Sequence, residues 1–280
     1  MKINKNRTTP LILILLCISL NIYNVYAQKK IVLLHTNDTH SRVEPLPATD
    51  KKYPGKSGYV NRMTVIDSIR NVNKDVILID AGDFVQGTPY FNIFKGCVEI
   101  EAMNLMKYDV GTLGNHEFDY GIDTLAAILK KSKFPVVNCN YDFTGTVLEN
   151  CVKPYIIIKK SGVKIGFIGV GANPEGLISK SNYKGVTNLP DFETVNRYAE
   201  RLKTKEKCDV IVCLSHLGID QDLLLAKSSK YLDIIIGGHS HSYMVKPELI
   251  KNRSGKDVFI YQAEKDGVYL GKIEIELNKK

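Results

Sequence analysis

The chain has 280 residues, of which 44% are hydrophobic and 24% are charged, and it carries a formal net charge of +8. These values describe an ordinary soluble globular protein that is long enough to bury a large core. Its basic residues are scattered or occur in isolated pairs such as Lys130-Lys131. A nucleic-acid-binding surface needs a concentrated basic stripe with interleaved aromatic residues, so nucleic acid is excluded as the expected partner. The surplus charge predicts only a weak attraction for anionic substrates.

Residues 1–27 have the features of a secretory signal peptide. Three basic residues lie within residues 1–7, an apolar run occupies residues 11–20, and Val25-Tyr26-Ala27 is a small-residue cleavage site. The run is short for a membrane span, although a retained N-terminal anchor is the alternative interpretation. Bulky Leu16 before Cys17 argues against lipidation. We therefore expect a periplasmic or secreted protein with no membrane attachment after cleavage, and with its formal charge lowered from +8 to +5.

Five cysteines remain after the leader, and an odd number leaves at least one thiol unpaired within a monomer. Cys208 and Cys213 adjoin or lie within an apolar run, which is typical of buried small hydrophobic residues. Cys139 and Cys151 bracket a predicted loop, and they are the only pair for which we consider a disulfide.

Short apolar runs alternate with amphipathic segments, which predicts one α/β domain over residues 28–280. Strands are predicted at 31–34, 76–79, 109–113 and 134–138, and helices at 59–69, 98–106 and 121–132. After a loop or hairpin excursion come a hairpin of 154–159 and 163–170, a helix at 191–206, a strand at 210–214, a further helix and a strand at 234–236. The tail, 258–262 and 268–277, alternates apolar and polar residues, which predicts a half-buried antiparallel pair.

Polar side chains follow the ends of the first two predicted strands. Asp38 and His40 lie two positions apart, so in extended backbone both side chains point the same way. A D-x-H pair at the end of a buried strand can supply two metal ligands. Asp83 follows the second strand, and we interpret the nearby Asp80 as a supporting or turn-stabilising carboxylate.

The most specific motif is Gly114-Asn115-His116-Glu117-Phe118-Asp119, which lies between a predicted strand and a predicted helix. Asn115 can offer a neutral carbonyl oxygen to a metal, and His116 can offer a proton. Asp119 can hold that imidazole in one tautomer by accepting from its second nitrogen. Gly114 lets the backbone turn sharply. The alternative is a polar turn with a chance histidine.

The remaining histidines also follow strands. His216 follows the strand at 210–214, and His239 and His241 follow the strand at 234–236, so all six histidines lie in or beside strand ends. The carboxyl ends of strands in open α/β sheets form the ligand crevice, so we expect these positions to converge. A hydrogen-bonded structural histidine is the alternative at each position. It is the favoured interpretation for His35, which has no ligand partner at a matching spacing.

This many oxygen and nitrogen ligands exceed the needs of one tetrahedral ion but suit two divalent cations, such as zinc or manganese, that share a carboxylate. Asp83, alone at its junction, is the predicted bridge. The lack of thiolate ligands favours an open catalytic site over a structural zinc site. Two such ions can hold a hydroxide between them for in-line attack on phosphorus.

The motifs D-x-H, G-D, G-N-H-E-F-D, S-H-L-G and G-G-H-S-H, in this order, resemble the calcineurin-like metallophosphoesterases. The local sequence around Asp38 and Asn115 is similar to that of the secreted branch of this family, which includes 5′-nucleotidases, UDP-sugar hydrolases and 2′,3′-cyclic phosphodiesterases. The resemblance covers residues 29–280 and implies a four-layer αββα sandwich, with two mixed sheets and flanking helices.

The resemblance also implies a role for each matching residue. His116, oriented by Asp119, would stabilise the transition state and assist the leaving oxygen. His241 departs from the pattern, because several relatives have Gln or Asn there, and an imidazole could shift the preference towards zinc. The implied ligands are Asp38, His40, Asp83 and His241 for one metal, and Asp83, Asn115, His216 and His239 for the other.

Full-length members of this branch carry a second domain that holds the nucleoside, whereas this sequence stops at Lys280. We therefore expect the substrate-specificity domain to be absent. Either a separately encoded chain supplies it, or the catalytic domain works alone with broad and weak specificity.

We expect dinuclear-metal-dependent hydrolysis of phosphate esters, in particular 5′-nucleotides or related nucleotide esters, as in nucleotide catabolism. One alternative is a non-catalytic metal-dependent module that binds a phosphate or nucleotide, or a subunit of a split nucleotidase. A mere binder needs neither His116 nor Asp119. A metal-dependent amidase fits less well, because it needs a carboxylate base near the water and Glu117 is poorly placed to be one.

Overall fold

The structure is a computed structural model that describes residues 29–277. The predicted signal peptide lies outside the described residues. The helices are α1 (Tyr59–Val72), α2 (Pro89–Phe94), α3 (Cys97–Leu105), α4 (Gly121–Leu129), α5 (Asp191–Thr204) and α6 (Ile219–Ser228). The strands are β1 (Lys29–Thr36), β2 (Val76–Asp80), β3 (Val110–Thr112), β4 (Val136–Val137), β5 (Tyr141–Asp142), β6 (Val152–Lys153), β7 (Tyr155–Lys160), β8 (Val163–Gly171), β9 (Thr187–Asn188), β10 (Val210–His216), β11 (Ile234–Ile236), β12 (Glu248–Lys251), β13 (Asp257–Tyr261) and β14 (Gly271–Leu277). None of the described helices combines the length and apolar character needed to cross a lipid bilayer.

Two six-stranded mixed sheets form the centre of the fold. The first has the order β14-β1-β2-β3-β4-β6, in which only β14 is antiparallel to its neighbour. The second has the order β12-β13-β11-β10-β8-β7, with parallel strands from β13 to β8 and an antiparallel strand at each edge. Parallel strands present their carboxyl ends at one edge of a sheet, so the loops after β1, β2 and β3 are neighbours, as are those after β10 and β11.

The alternation of side chains along the strands produces the layers. In β1, Ile31 and Leu33 pack between the two sheets, whereas Val32 and Leu34 pack with residues of α1, α3 and α4. A third hydrophobic cluster joins the outer face of the second sheet to α5 and α6. The order of layers is helix, sheet, sheet, helix, and the predicted αββα sandwich is confirmed.

The tail of the chain does not form the predicted antiparallel pair. β13 lies in the second sheet between β11 and β12, and β14 lies in the first sheet beside β1. Alternation shows that one face of a strand is buried, but it does not identify the neighbouring strand. The hydrophobic pattern also missed the 6-residue helix α2 and the largely exposed edge strand β12. The hairpin of β7 and β8 is present as predicted.

The disulfide considered between Cys139 and Cys151 is absent, since all five cysteines in residues 29–277 are free thiols. Cys139 packs in the cluster between the second sheet and its helices, whereas Cys151 packs against the cluster on the first sheet. The two side chains therefore belong to different layers. Burial raises the pKa of the Cys139 thiol, which keeps it protonated and unreactive. Cys208 and Cys213 are buried, as expected.

Candidate metal centre

The seven predicted metal ligands lie together where strands of both sheets end. Four come from loops after β1, β2 and β3 of the first sheet, and three come from β10 and the loop after β11 of the second. Within each of two groups the ligand atoms lie within 4.8 Å of one another: Asp38, His40 and His241 in the first, and Asp83, His216 and His239 in the second. Asn115 contacts the second group through His239.

Asp38 is the common neighbour in the first group. Its Oδ1 atom lies 3.4 Å from Nε2 of His241 and 4.0 Å from Nε2 of His40. The Nε2 atoms of the two histidines are 3.1 Å apart. Asp38 is fully buried and the His241 side chain is 35% exposed, so the group opens to solvent on the side of His241.

The second group adjoins the first through His216. Nε2 of His216 lies 3.1 Å from Oδ2 of Asp83 and 3.8 Å from Oδ1 of Asp38. Nδ1 of His239 lies 3.0 Å from Oδ1 of Asn115. Carboxylate oxygens, an amide oxygen and imidazole nitrogens thus face a common space from several elements.

The surroundings of His216 favour positive charge in this space. Its Nδ1 lies 2.7 Å from the carbonyl oxygen of Ala81, while its buried Nε2 has no hydrogen-bond partner among the described residues. Burial opposes protonation of His216, yet Asp83 and Asp38 raise its pKa to about 10. Burial likewise opposes ionisation of Asp83, yet His216 holds the pKa of Asp83 below its usual range. Two buried carboxylates within 4 Å of the same ring nitrogen favour positive charge here, and the oxygen and nitrogen donors suit divalent ions such as zinc or manganese.

Most of the ligand residues have strained backbone conformations. Five of the seven have φ between 44° and 70°, namely Asp38, His40, Asp83, His239 and His241. This left-handed region costs non-glycine residues of the order of 1 kcal/mol each. Hydrogen bonds between the loops hold the conformation, including Asp38 N–H to Gly82 O at 2.9 Å and His40 N–H to Asp83 O at 3.0 Å. Such a concentration of strain is characteristic of a functional site.

Backbone donors orient the two carboxylates. The N–H group of His239 donates to both oxygens of Asp38, at 3.1 and 3.0 Å. The N–H group of His116 donates to Oδ1 of Asp83 at 2.9 Å. Gly114 permits the close approach of these loops, because a Cβ there would collide with the Asp83 carboxylate and lie 2.7 Å from Nε2 of His216.

Glu117 has a supporting role that sequence reasoning missed. Its buried carboxylate accepts hydrogen bonds from the N–H groups of Gly114, Asp83 and Phe84, at 2.5, 3.1 and 2.9 Å. It therefore ties the loop after β2 to the loop after β3. Burial and the charge of Asp83 raise the pKa of Glu117 to about 8. One signal in the sequence could have indicated this role. Glu117 is an acidic residue inside the Gly114–Asp119 motif, and it had been assigned neither as a metal ligand nor as a base.

His116 lies at the mouth of the site, with its side chain 31% exposed. Its Nδ1 lies 2.9 Å from Oδ2 of Asp119, and its ring centre is 5.6 Å from that of His40. Burial opposes protonation, yet the hydrogen bond to Asp119 and the charge of Asp83 raise the pKa of His116 above its usual value. The arrangement leaves Nε2 of a protonated His116 as a donor beside the ligand groups.

Asp80 and His35 lie outside both ligand groups. Asp80 accepts from the Thr36 hydroxyl at 2.6 Å and from the Gly82 N–H at 2.9 Å, so it stabilises the turn that leads to Asp83. His35 is buried, and burial lowers its pKa to about 4, so its ring is neutral.

Comparisons with known proteins identify relatives of the whole described domain. The family model described as calcineurin-like phosphoesterase matches residues 31–243. The chain is 31% identical to the snake venom 5′-nucleotidase of Crotalus adamanteus, over 90% of this chain and 46% of that protein. It aligns with the structure of a 5′-nucleotidase precursor from Thermus thermophilus at a TM-score of 0.78 and 32% identity, over 88% of this chain and 51% of that one.

A further solved structure is covered almost completely. The calcineurin-like phosphoesterase YfkN from Bacillus subtilis aligns at a TM-score of 0.74 and 30% identity, over 90% of this chain and 86% of that one. The chain spans about half the length of the first curated relatives that it matches. The matched range, residues 31–243, contains all seven ligand positions and both His116 and Asp119. The chain belongs to the calcineurin-like phosphoesterase family.

Proposed function

We propose that this protein is a hydrolase of phosphate esters that uses two divalent metal ions, and that 5′-nucleotides or related nucleotide esters are its substrates. The observation that carries the proposal is the pair of adjoining ligand groups with the His116–Asp119 pair beside them. Family membership supports ester hydrolysis, and the 5′-nucleotidases among the relatives support the nucleotide class.

The two ligand groups divide between the ions. Asp83 is suited to be shared, since its Oδ2 lies 3.1 Å from Nε2 of His216 in its own group, and its charge acts against the burial that lowers the pKa of His40 in the first group. When bound, such ions neutralise charge on phosphoryl oxygens and lower the pKa of water, which yields a nucleophile at neutral pH. The first ion would be held by Asp38, His40, Asp83 and His241, and the second by Asp83, Asn115, His216 and His239.

His116 supplies the proton chemistry that the metal ligands cannot. All ligand side chains must be deprotonated or neutral to bind cations, whereas His116 keeps its raised pKa through Asp119. With Nδ1 facing Asp119, its Nε2–H can donate to a phosphoryl oxygen or to the leaving oxygen. Asp119 holds the ring in that orientation.

An assay with purified protein tests the proposal. Metal-free protein is reloaded with manganese or zinc and incubated with p-nitrophenyl phosphate, bis(p-nitrophenyl) phosphate, AMP, a 2′,3′-cyclic nucleotide and a UDP-sugar. We expect metal-dependent release of phosphate from AMP, and its loss in the Asp83→Ala variant. Tight binding of AMP without turnover by any metal form would instead establish the non-catalytic binding module.

The proposal extends to export and to a second domain. Residues 1–27 carry the signal-peptide pattern, so we expect mature protein to be recovered outside the cytoplasm with Gln28 at its N-terminus. N-terminal sequencing of the recovered protein tests this. A mixing experiment with a candidate partner chain tests the second domain. If that chain supplies the specificity domain, kcat/KM for AMP should rise; if the catalytic domain works alone, kcat/KM should not change.

A further inference from the structure

Asn37 lies between the first strand and the ligand Asp38, and its side-chain amide uses both of its polar atoms. The residue is 1% exposed. Its Nδ2 group donates to Oδ2 of Asp38 and to the carbonyl oxygen of Glu264, both at 2.6 Å, while its Oδ1 accepts from the N–H group of Ala263 at 2.8 Å. An ionised carboxylate and a carbonyl oxygen can only accept, whereas an N–H group can only donate, so the orientation of the amide is fixed.

The amide of Asn37 decides which oxygen of Asp38 faces the metal centre. The N–H group of His239 donates to both oxygens of Asp38, so it does not distinguish them. The amide of Asn37 donates to Oδ2. Oδ1 lies 3.4 Å from Nε2 of His241 and 3.8 Å from Nε2 of His216. Asn37 therefore holds the carboxylate with Oδ1 towards the ligand groups.

The backbone partners of Asn37 belong to the loop between β13 and β14, in residues 263–266, which we call the clamp segment. The same segment holds the backbone of the ligand, because the N–H group of Asp266 donates to the carbonyl oxygen of Asp38 at 2.7 Å. The clamp segment lies outside residues 31–243, the range that the family model matches. The first ligand group thus depends on a part of the chain beyond that range.

Side chains from other loops hold the clamp segment in place. The Tyr53 hydroxyl donates to Oε2 of Glu264 at 2.6 Å, and Nη2 of Arg42 donates to Oδ1 of Asp266 at 3.1 Å. Glu264 and Asp266 have φ of 59° and 58°, a left-handed conformation that is unfavourable for residues other than glycine. These contacts maintain that conformation and keep the two backbone partners of Asn37 in position.

We propose that Asn37 is a positioning residue for the first metal ion, and that the clamp segment acts on Asp38 through it. The inference rests on the proposed two-metal function. A carboxylate group rotates freely unless hydrogen bonds fix it, and a ligand that is already oriented binds its metal more tightly. Loss of the amide should therefore weaken the first ion and leave the second in place.

Replacement of Asn37 by leucine tests this, because it removes the hydrogen bonds of the amide at nearly constant volume. Competition with a fluorescent chelator measures the Kd of each bound manganese or zinc ion. We expect one Kd to rise by about 10-fold to 100-fold, the range for groups that orient ligands, and the other to change by less than about twofold. At saturating metal, kcat for p-nitrophenyl phosphate should return towards the wild-type value, since no ligand or proton donor is lost.

Asn252→Leu is the matched control. Asn252 is also buried, and its Oδ1 accepts from the N–H groups of Ser254 and Lys256 while its Nδ2 donates to the carbonyl oxygen of Lys230. None of these partners is a predicted metal ligand. We expect a lower Tm in both variants but a changed Kd only in Asn37→Leu. Wild-type Kd values in both variants would show a purely structural role and overturn the proposal.

Asp266→Ala keeps the test decisive if Asn37→Leu does not fold. It removes the ion pair with Arg42, whose side chain is 26% exposed, and leaves the buried amide intact. We expect the Kd of one ion to rise by about two- to fivefold, the effect of a surface ion pair. Asp257→Ala is its control, since it removes the ion pair with Lys251 on the neighbouring hairpin. Equal Kd values in the two variants would refute the clamp.

Metal binding and ester hydrolysis are measured separately, so the two proposals can fail separately. If wild type binds two ions but releases phosphate from none of the esters, the proposed function fails, and the Kd comparison still decides the role of Asn37. If wild type binds no divalent ion, the metal centre is refuted and the role of Asn37 with it.

Discussion

Nδ1 of His216 lies 2.7 Å from the carbonyl oxygen of Ala81, and this contact decides which ring nitrogen faces the metal centre. A carbonyl oxygen can only accept, so Nδ1 carries the proton in this hydrogen bond. Nε2 is left as the nitrogen that lies 3.1 Å from Asp83. Ala81 follows β2 in the first sheet and His216 ends β10 in the second, so the same hydrogen bond joins the two sheets at the site.

Replacement of His216 by alanine should remove one metal ion. Because Nε2 has no substitute in the buried second group, we expect the metal content to fall from about two ions per chain to about one. Inductively coupled plasma mass spectrometry of dialysed protein measures this. His35→Gln is the matched control, since His35 is also buried at the end of a central strand but lies in neither group. An unchanged metal content in His216→Ala would remove His216 from the ligand set.

Replacement of His116 by asparagine should lower kcat by about 100-fold or more, as expected for loss of a general acid. Metal content and folding should not change, because His116 belongs to neither ligand group. Asp119→Asn should have a smaller effect, about tenfold, because the ring remains but loses its orienting partner. Asp123→Asn, an exposed acidic residue in the first turn of α4, is the control and should match wild type. Full activity of His116→Asn would exclude the proposed proton donor.

Replacement of Glu117 by glutamine should weaken metal binding without removing a ligand. One of the two carboxylate oxygens becomes an NH₂ group, which cannot accept from the N–H groups of Gly114, Asp83 or Phe84. We expect metal affinity to fall by about 10-fold to 100-fold, the range for groups that orient ligands. Competition with a fluorescent chelator measures the change. Glu101→Gln, at an exposed position of α3, should bind metal as wild type does, and equal affinities in both variants would contradict the role of Glu117.

Removal of metal should lower thermal stability. The ligand loops hold two buried carboxylates and several strained residues together, and bound ions stabilise only the folded chain. At a metal concentration of about 100 times Kd the gain is about 2.7 kcal/mol per ion. For a domain of this size that corresponds to a rise in Tm of roughly 5–10 °C. Scanning calorimetry with chelator and with added manganese or zinc measures it, and a Tm that is indifferent to metal would argue against occupied sites.

Asp222 should make stability fall as pH rises. Its fully buried carboxyl has Oδ1 2.5 Å from the Ser215 hydroxyl, and burial raises its pKa to about 8. The unfolded chain has a pKa of about 3.9 at this position, so the folded state binds the extra proton between these values and loses stability as pH increases.

Asp222→Asn removes this dependence. Its stability relative to wild type should increase between pH 5 and pH 8, by at most about 1.4 kcal/mol per pH unit. Urea unfolding of the metal-loaded proteins at both pH values gives the comparison, with the exposed Asp220→Asn as control. If the difference in unfolding free energy between Asp222→Asn and wild type is the same at both pH values, Asp222 does not titrate in this range.

The sequence and the structure agree best where a local pattern carries the information. Apolar runs in the sequence marked the buried strands, and the residues just after them were identifiable as candidate ligands because all six histidines cluster in or beside strand ends. The pairing of the tail strands was not identifiable, because β13 and β14 have the same alternation although they lie in different sheets. Glu117 could not be recognised as a support for two loops, since its partners are backbone N–H groups that have no signature in the sequence.

The sequence by itself determined the α/β class, the positions of most strands and helices, and the identity of the candidate ligands, because hydrophobic periodicity and residue chemistry are local properties. Only the tertiary structure decided which nitrogen of His216 faces Asp83 and which sheet each of the two tail strands joins. Those relations depend on contacts between the two sheets and between loops more than a hundred residues apart, such as Ala81 and His216. Such contacts are set by the packing of layers and by loop conformation, which no short stretch of sequence encodes.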